Sequence, residues 1–169
     1  PRRLFSNMAD DHGLQAFDEA GLEQLDAVNP VDVRVAAMNL LARREHSRRE
    51  LKQKLSRRFK NDEVVEAELA ILAAENLQSD ERFAESFIRQ RISRGHGPMR
   101  IRQEARQKGL SDDELECALE QEQPDWFELA EAVYRRKFGE VPPADVKDRA
   151  RRSRFMQYRG FSVEHFSAL

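Results

Sequence analysis

Residues 107–111 (QKGLS) align with residues 158–162 (YRGFS), and this correspondence indicates that a structural unit is repeated. Each stretch places a cationic residue before a glycine, then an apolar residue and a serine suited to cap a helix. Leu51 and Ile101 extend the correspondence toward the N-terminus, since they lie 50 positions apart in similar surroundings. A period of this length predicts tandem helical repeats that bury their apolar faces against one another.

Helix-capping residues predict about nine helices in three groups of three. Ser47 with Glu50, and Ser111 with Glu114, have the spacing of a capping box. The predicted helix starts are Asn29-Pro30, Ser47, Asn61 or Asp62, Ser79 or Asp80, Pro98, Ser111, Asp125, about Asp145 and Ser162. Few β-branched runs and six prolines argue against a sheet. The predicted fold is all-α, with three tandem three-helix repeats.

The chain divides into four predicted parts. Residues 1–29 form an acidic extension, and residues 30–77, 78–123 and 124–169 form the three repeats. Residues 8–25 contain five acidic residues, no lysine or arginine, and irregularly spaced apolar residues. We therefore expect the extension to be flexible.

Helical spacing also predicts which residues face the core. Val31 and Val35 lie on the apolar stripe of the first helix, and Cys117 is expected to be half-buried and unreactive. The predicted core of the third unit contains Trp126, Phe127, Tyr134, Val146, Ala150, Phe155 and Tyr158. Tyr158 and Phe161 flank Gly160, so one of them is also a candidate for an exposed contact.

Charge alternates along the chain in blocks. Residues 43–60 contain nine basic and two acidic residues. Residues 89–108 contain seven basic residues and one acidic residue, and residues 135–159 contain nine basic and three acidic residues. Between them, residues 61–85 contain eight acidic and one basic residue, and residues 109–131 contain nine acidic and none basic. Two interpretations are open: solvated helix faces joined by salt bridges, or a basic stripe facing phosphates or an acidic partner.

Under the second interpretation, the cationic side chains of the three basic blocks are the candidate contacts. Arginine suits this role because its planar fork pairs with phosphate or carboxylate through two hydrogen bonds. The candidate residues for binding nucleic acid or an acidic partner are Arg43, Arg44, Arg48, Arg49, Lys52, Arg57, Arg58, Arg91, Arg94, Arg100, Arg102, Arg106, Lys108, Arg151 and Arg152.

We find no combination of residues in the sequence that is typical of a catalytic or metal-binding site. The single cysteine excludes an internal disulfide framework, and the four histidines are scattered without metal-ligand spacing. Residues 95–97 (GHG) have helical flanks rather than the strand that a phosphate loop requires. We therefore expect no enzyme activity, no cofactor and no metal. No run of 18 apolar residues indicates a membrane span, and we expect a cytoplasmic monomer.

Five stretches of the chain are distinctive when taken together, namely LLARREHSRREL at residues 40–51, DERFAE at 80–85, GHGPMRIRQE at 95–104, DW at 125–126 and RFMQYRGF at 154–161. In this combination and order they resemble the RecX family of recombinase regulators. The resemblance covers about residues 31–169. This chain has His96 where the family motif often has an aromatic residue, and Ala105 where it often has leucine.

The resemblance implies a curved, elongated body of three repeats that binds in the helical groove of the RecA–single-stranded DNA filament. It further implies inhibition of recombinase, ATPase and coprotease activities, by capping or dismantling the filament. The residues on their own leave two other functions open. One is a stand-alone protein that binds single-stranded nucleic acid, and the other is a helical adaptor with no nucleic-acid role.

Overall fold

The computed structural model describes residues 27–169, and within them it contains nine α-helices and no strand. The helices are α1 (Pro30–Arg43), α2 (Arg48–Arg58), α3 (Asp62–Ala74), α4 (Asp80–Ser93), α5 (Pro98–Gln107), α6 (Asp112–Glu122), α7 (Trp126–Phe138), α8 (Val146–Tyr158) and α9 (Val163–Phe166). The predicted acidic extension lies almost wholly outside the described residues. The elongated, curved shape stays a prediction.

The helices begin where the capping residues predicted. The Asn29 side chain accepts the N–H of Val31, with Pro30 in the first turn of α1. Ser47 and Glu50 form a reciprocal capping box on α2. Ser111 and Glu114 do the same on α6. Local side-chain chemistry therefore fixes the helix starts independently of tertiary packing.

Each group of three helices encloses an apolar core of its own. We call α1–α3 repeat 1, α4–α6 repeat 2 and α7–α9 repeat 3. The buried core of repeat 1 is Val33, Ala37, Leu51, Leu55, Phe59, Val65, Leu69 and Leu72. That of repeat 2 is Phe83, Ala84, Phe87, Ile88, Ile101, Ala105, Leu110, Leu115, Ala118 and Leu119. Repeat 3 has the smallest set of buried core residues, namely Ala130, Tyr134, Met156, Phe161 and Phe166.

The most extensive helix–helix contacts lie within repeats, and Trp126 packs against the cores of both repeat 2 and repeat 3. This is the modular pattern of a repeat protein, in which each unit contacts its neighbours. The predicted all-α fold of three tandem three-helix repeats is confirmed.

Some predicted core positions are wrong. In α1, Val31 and Val35 are 63% and 54% exposed, and Val33 and Ala37 are buried instead. The packed face of α1 is therefore centred on Val33 and Ala37, away from Val31 and Val35. Phe127 is 58% exposed although Tyr134 is buried as expected.

Helix α8 also presents a different face from the predicted one. Val146 and Tyr158 are 85% and 75% exposed, and Ala150 is exposed too. The residues that α8 buries are Arg152 and Met156. The spacing of apolar residues predicted the wrong face of α8 because a charged residue, Arg152, lies on the buried one. Cys117, expected to be half-buried, is exposed.

Candidate nucleic-acid and partner interface

The junction between repeats 1 and 2 centres on a buried carboxylate. Glu50, at the start of α2, is 5% exposed and lies 2.9 Å from Nη2 of Arg44 and 3.2 Å from Nζ of Lys108. Burial acts to raise the pKa of Glu50. Hydrogen bonds from Arg44 and from the Ser47 N–H, with the charge of Lys108, outweigh it and lower the pKa to about 2. Glu50 therefore links the two repeats as an anion.

His46 lies beside this carboxylate and is 2% exposed. Its Nδ1 lies 3.0 Å from the Arg44 carbonyl oxygen, and its Nε2 lies 3.1 Å from Nζ of Lys54. Burial lowers the pKa of His46, and the charges of Arg44 and Lys54 lower it further. A neutral ring that donates from Nδ1 and accepts from Lys54 satisfies both contacts. His46 is thus a structural residue of the junction.

The junction between repeats 2 and 3 is made by backbone groups. The N–H of Met99 donates to the carbonyl oxygen of Gly160 at 3.0 Å, and Gly97 donates to Arg159. A Cβ atom on Gly97 would collide with the backbone of Gly160, and one on Gly160 would collide with Arg100. Gly97 and Gly160, the second of which is one of the two aligned glycines, therefore allow repeats 2 and 3 to touch.

Ten of the fifteen predicted cations are paired with carboxylates, either on a neighbouring helix or on their own helix. Arg48 and Lys52 of α2 lie 3.7 Å and 2.6 Å from Glu66 of α3. The other pairs within the predicted set are Arg44–Glu50, Arg91–Glu104, Arg100–Glu104, Arg102–Glu116, Arg106–Asp112, Lys108–Glu50, Arg151–Asp148 and Arg152–Asp148. These pairs match the first interpretation of the charge blocks, salt bridges between solvated helix faces.

Arg152 does not belong in a binding surface, which corrects its assignment from the sequence. Its side chain is 8% exposed, and Nη1 donates to the Val141 carbonyl oxygen at 2.7 Å and to the Tyr134 hydroxyl at 3.1 Å. The guanidinium also lies 5.0 Å from the ring centroid of Phe138. Arg152 is therefore part of the core of repeat 3.

The remaining predicted cations have no carboxylate partner within the described residues. Arg49 is exposed and donates to the Arg106 carbonyl oxygen across the junction of repeats 1 and 2. Arg43, Arg57, Arg58 and Arg94 are exposed as well. Exposed cations without an internal partner are the ones available to an external anion at least cost.

Sequence reasoning missed three cations that the fold brings close to Arg94. Arg136, Lys137 and Arg159 line one cleft with Arg94 at the junction of repeats 2 and 3. All three belong to the third basic block, but the sequence pattern did not identify them as candidate binding residues. Only the packing of α7 and α8 against the end of α4 places them together.

Tyr158 is an exposed aromatic beside the same junction. The guanidinium carbon of Arg100 lies 5.3 Å from its ring centroid, and both residues line a cleft of about 500 Å³ with Gln103 and Gln157. Of the two residues flanking Gly160, Tyr158 is the exposed one, since Phe161 is fully buried. An exposed tyrosine with a stacked arginine is a surface on which a nucleobase can stack.

No helix between residues 27 and 169 is long and apolar enough to cross a bilayer. In the same stretch, no three His, Cys, Asp or Glu side chains converge in a way that could hold a metal ion.

The fold defines a helical-repeat protein, with three small apolar cores and with exposed cations along the chain. Family models match all three units. The first three-helix domain of RecX matches residues 34–70, the second residues 79–119 and the third residues 123–168. The chain belongs to the RecX family.

Curated relatives and solved structures agree with this assignment. The regulatory protein RecX of Pseudomonas putida (strain GB-1) is 47% identical over 140 residues, covering 83% of this chain and 90% of that protein. The regulatory protein RecX of Halorhodospira halophila is 48% identical over 136 residues, covering 80% and 84%.

Two crystal structures share the fold. A structure described as regulatory protein RecX matches with a TM-score of 0.70 and 23% identity, covering 89% of this chain and 76% of that chain. RecX from Lactobacillus salivarius matches with a TM-score of 0.62 and 22% identity, covering 82% and 92%. These two structures support the fold of the chain, and it is the curated relatives at 47% and 48% identity that are named regulatory proteins.

Proposed function

We propose that this chain is a non-enzymatic regulator that binds the RecA–single-stranded DNA filament and inhibits its recombinase, ATPase and coprotease activities. The observation that carries the proposal is the match to all three RecX domains in order, from residue 34 to residue 168. We further propose that it acts in the cytoplasm as a monomer.

The surface has two kinds of cation, and together they support the proposal that the partner contains both protein and DNA. Arg102 and Arg106 are paired with exposed carboxylates and can exchange them for carboxylates of a protein at little cost, since exposed salt bridges are weak. Arg57 and Arg94 are exposed without a carboxylate partner in the described residues, so they gain most from a phosphate. A filament of protein wrapped on single-stranded DNA offers both kinds of anion.

Strand exchange by the cognate RecA tests the recombinase part of the proposal. Substoichiometric amounts of this chain should slow the exchange, because one bound regulator affects a filament of many subunits. Strand exchange that is unchanged at a large molar excess of the chain would contradict it.

The second candidate function is that of a stand-alone protein that binds single-stranded nucleic acid. The exposed ring of Tyr158, with Arg100 stacked on it, favours this alternative. Salt-dependent binding to bare single strands, together with no effect on a RecA filament, would select it over the first. Absence of any DNA binding would instead favour an adaptor.

A further inference from the structure

The junction of repeats 2 and 3 contains a cleft of about 350 Å³ between the end of α4 and the helices α7 and α8. Its apolar lining residues, which we call its floor, are Ile92, Leu129, Ala132, Val133 and Phe155. Its volume lies at the small end of the range of about 300–1,000 Å³ that is common for ligand pockets. The cleft therefore has room for one flat group resting on apolar side chains.

Four cations surround that floor, namely Arg94, Arg136, Lys137 and Arg159. None of them has a carboxylate within salt-bridge distance among residues 27–169. Nζ of Lys137 lies 5.3 Å from the ring centroid of Phe155. Nη1 of Arg159 donates to the Arg94 carbonyl oxygen at 3.1 Å.

The neighbouring arginine is in a different electrostatic environment. Arg135 precedes Arg136 in the chain, but it is paired with both Glu131 and Glu140, at 2.9 Å and 3.0 Å. No carboxylate lines the cleft itself. Its positive charge is thus uncompensated within the described protein, and the cleft is complementary to an anion.

The polar side chains of the cleft are almost all hydrogen-bond donors. The four cations can only donate, and the hydroxyl of Ser93 already donates to the Gln90 carbonyl oxygen at 2.7 Å. An acidic peptide would bring backbone N–H groups that need acceptors, and no amide or carboxylate side chain is there to accept them. A phosphodiester backbone carries only acceptors, so a nucleic acid fits this lining better.

We propose that this cleft binds one or two nucleotides of single-stranded nucleic acid. The cations hold the phosphates, and the apolar floor supports a base or sugar. Cation–phosphate contacts are independent of sequence, so binding should show little base preference. This inference deepens the DNA-binding part of the proposed function and rests on it, but it concerns a site that can be tested without RecA.

The test compares two double variants of the full chain. Arg94→Gln/Arg136→Gln removes two cations from the cleft. Arg89→Gln/Arg135→Gln is the matched control, because it removes the same charge from two exposed arginines that are already paired with carboxylates. Neither pair is buried, so both variants should keep the wild-type melting curve by circular dichroism.

The readout is the affinity for a fluorescent oligothymidylate, measured by anisotropy between about 50 and 200 mM salt. The cleft variant should bind about tenfold more weakly or worse, and the slope of log affinity against log salt should flatten by about 1.4, for two lost contacts. The control should change affinity by less than about threefold, since carboxylates already compensate both of its charges. Equal losses in both variants, or an unchanged cleft variant, would overturn the proposal, as would a wild type that does not bind.

Two further outcomes separate this inference from the proposed function. Oligoglutamate of matched charge that displaces the DNA as effectively as unlabelled oligothymidylate would overturn the cleft in favour of an acidic protein partner. If the cleft variant loses RecA inhibition but keeps its oligothymidylate affinity, the inference fails and the proposed function stands. If oligothymidylate binding depends on the cleft but the wild type leaves RecA unaffected, the inference stands and the proposed function fails.

Discussion

The backbone N–H of Gly97 donates to the carbonyl oxygen of Arg159 at 2.8 Å, and this contact joins the start of α5 to the end of α8. At the preceding junction, Nη1 of Arg49 donates to the Arg106 carbonyl oxygen at 3.1 Å. At both junctions a donor of the earlier repeat meets a backbone carbonyl of the later one. Gly97 can lie close to Gly160 because residue 97 has no side chain.

Gly97→Ala should therefore destabilise the protein. The added Cβ would collide with the backbone of Gly160, whereas the φ of −82° at Gly97 suits any residue. Overpacking of this kind costs about 1–3 kcal/mol. Urea unfolding followed by circular dichroism measures the loss, and hydrogen exchange should show a less protected amide at Met99.

Gly139→Ala is the matched control for backbone strain. Gly139 has φ of +69°, but nothing lies within 4 Å of its Cβ position. This variant should lose only the cost of a positive φ with extended ψ, about 1–3 kcal/mol, and the Met99 amide should keep its protection. A fully stable Gly97→Ala variant with unchanged exchange would show that the close approach of Gly97 and Gly160 is not required.

Glu50→Gln should reduce stability in a pH-dependent way. The pKa of Glu50 is about 2 in the folded protein, against an ordinary value of 4.5. A depressed carboxylate pKa stabilises the folded state above about pH 4.5, and this stabilisation is lost as the pH falls through about 2. The shift corresponds to about 3 kcal/mol.

Denaturant unfolding of wild type and variant at several pH values measures this difference. The difference in unfolding free energy should be largest near neutral pH and should disappear as the pH approaches about 2. Glu116→Gln is the control, because Glu116 is 51% exposed and its salt bridge with Arg102 is a surface one. A gap between wild type and Glu50→Gln that is constant with pH would contradict the assigned role of the carboxylate.

Arg152→Gln should lower the melting temperature, because it leaves the Val141 carbonyl and Asp148 without their buried donor. Arg151→Gln, one position earlier and 59% exposed on its side chain, should melt like the wild type. Thermal unfolding of the two variants distinguishes them. Equal melting temperatures would place Arg152 on the surface with its neighbour.

The sequence predicted the helices well, because their signals are local. Ser47, Ser111 and Asn29 cap helices through atoms within three residues of themselves. The burial of α8 was mispredicted because apolar spacing treats an arginine as polar. Arg152 is buried only because a hydroxyl and a carbonyl from other parts of repeat 3 meet its guanidinium.

The candidate site was predictable as a charge pattern but not as a surface. Counting charges places Arg135 and Arg136 in the same basic block. The fold gives Arg135 two carboxylates and gives Arg136 none within the described residues. Which cations remain free is decided by tertiary packing, so sequence reasoning included the buried Arg152 and omitted Arg136.

The double variant Arg102→Ala/Arg106→Ala should fold normally and inhibit RecA more weakly. Helix α5 is held by Ile101 and Ala105, both fully buried, and the two arginines pair only with exposed carboxylates. Surface changes of this kind usually alter stability by less than about 0.5 kcal/mol. Circular dichroism checks the fold, and the concentration for half-maximal inhibition checks the function. Full inhibition by a folded variant would exclude this face of α5.

ATP hydrolysis by the cognate RecA on single-stranded DNA is the most direct measure of whether this chain regulates the filament. The chain is added in increasing amounts to a preformed filament, and the steady rate of hydrolysis is recorded. We expect the rate to fall while the chain is still substoichiometric to RecA. A rate that stays unchanged at a large molar excess of the folded chain would contradict its proposed function.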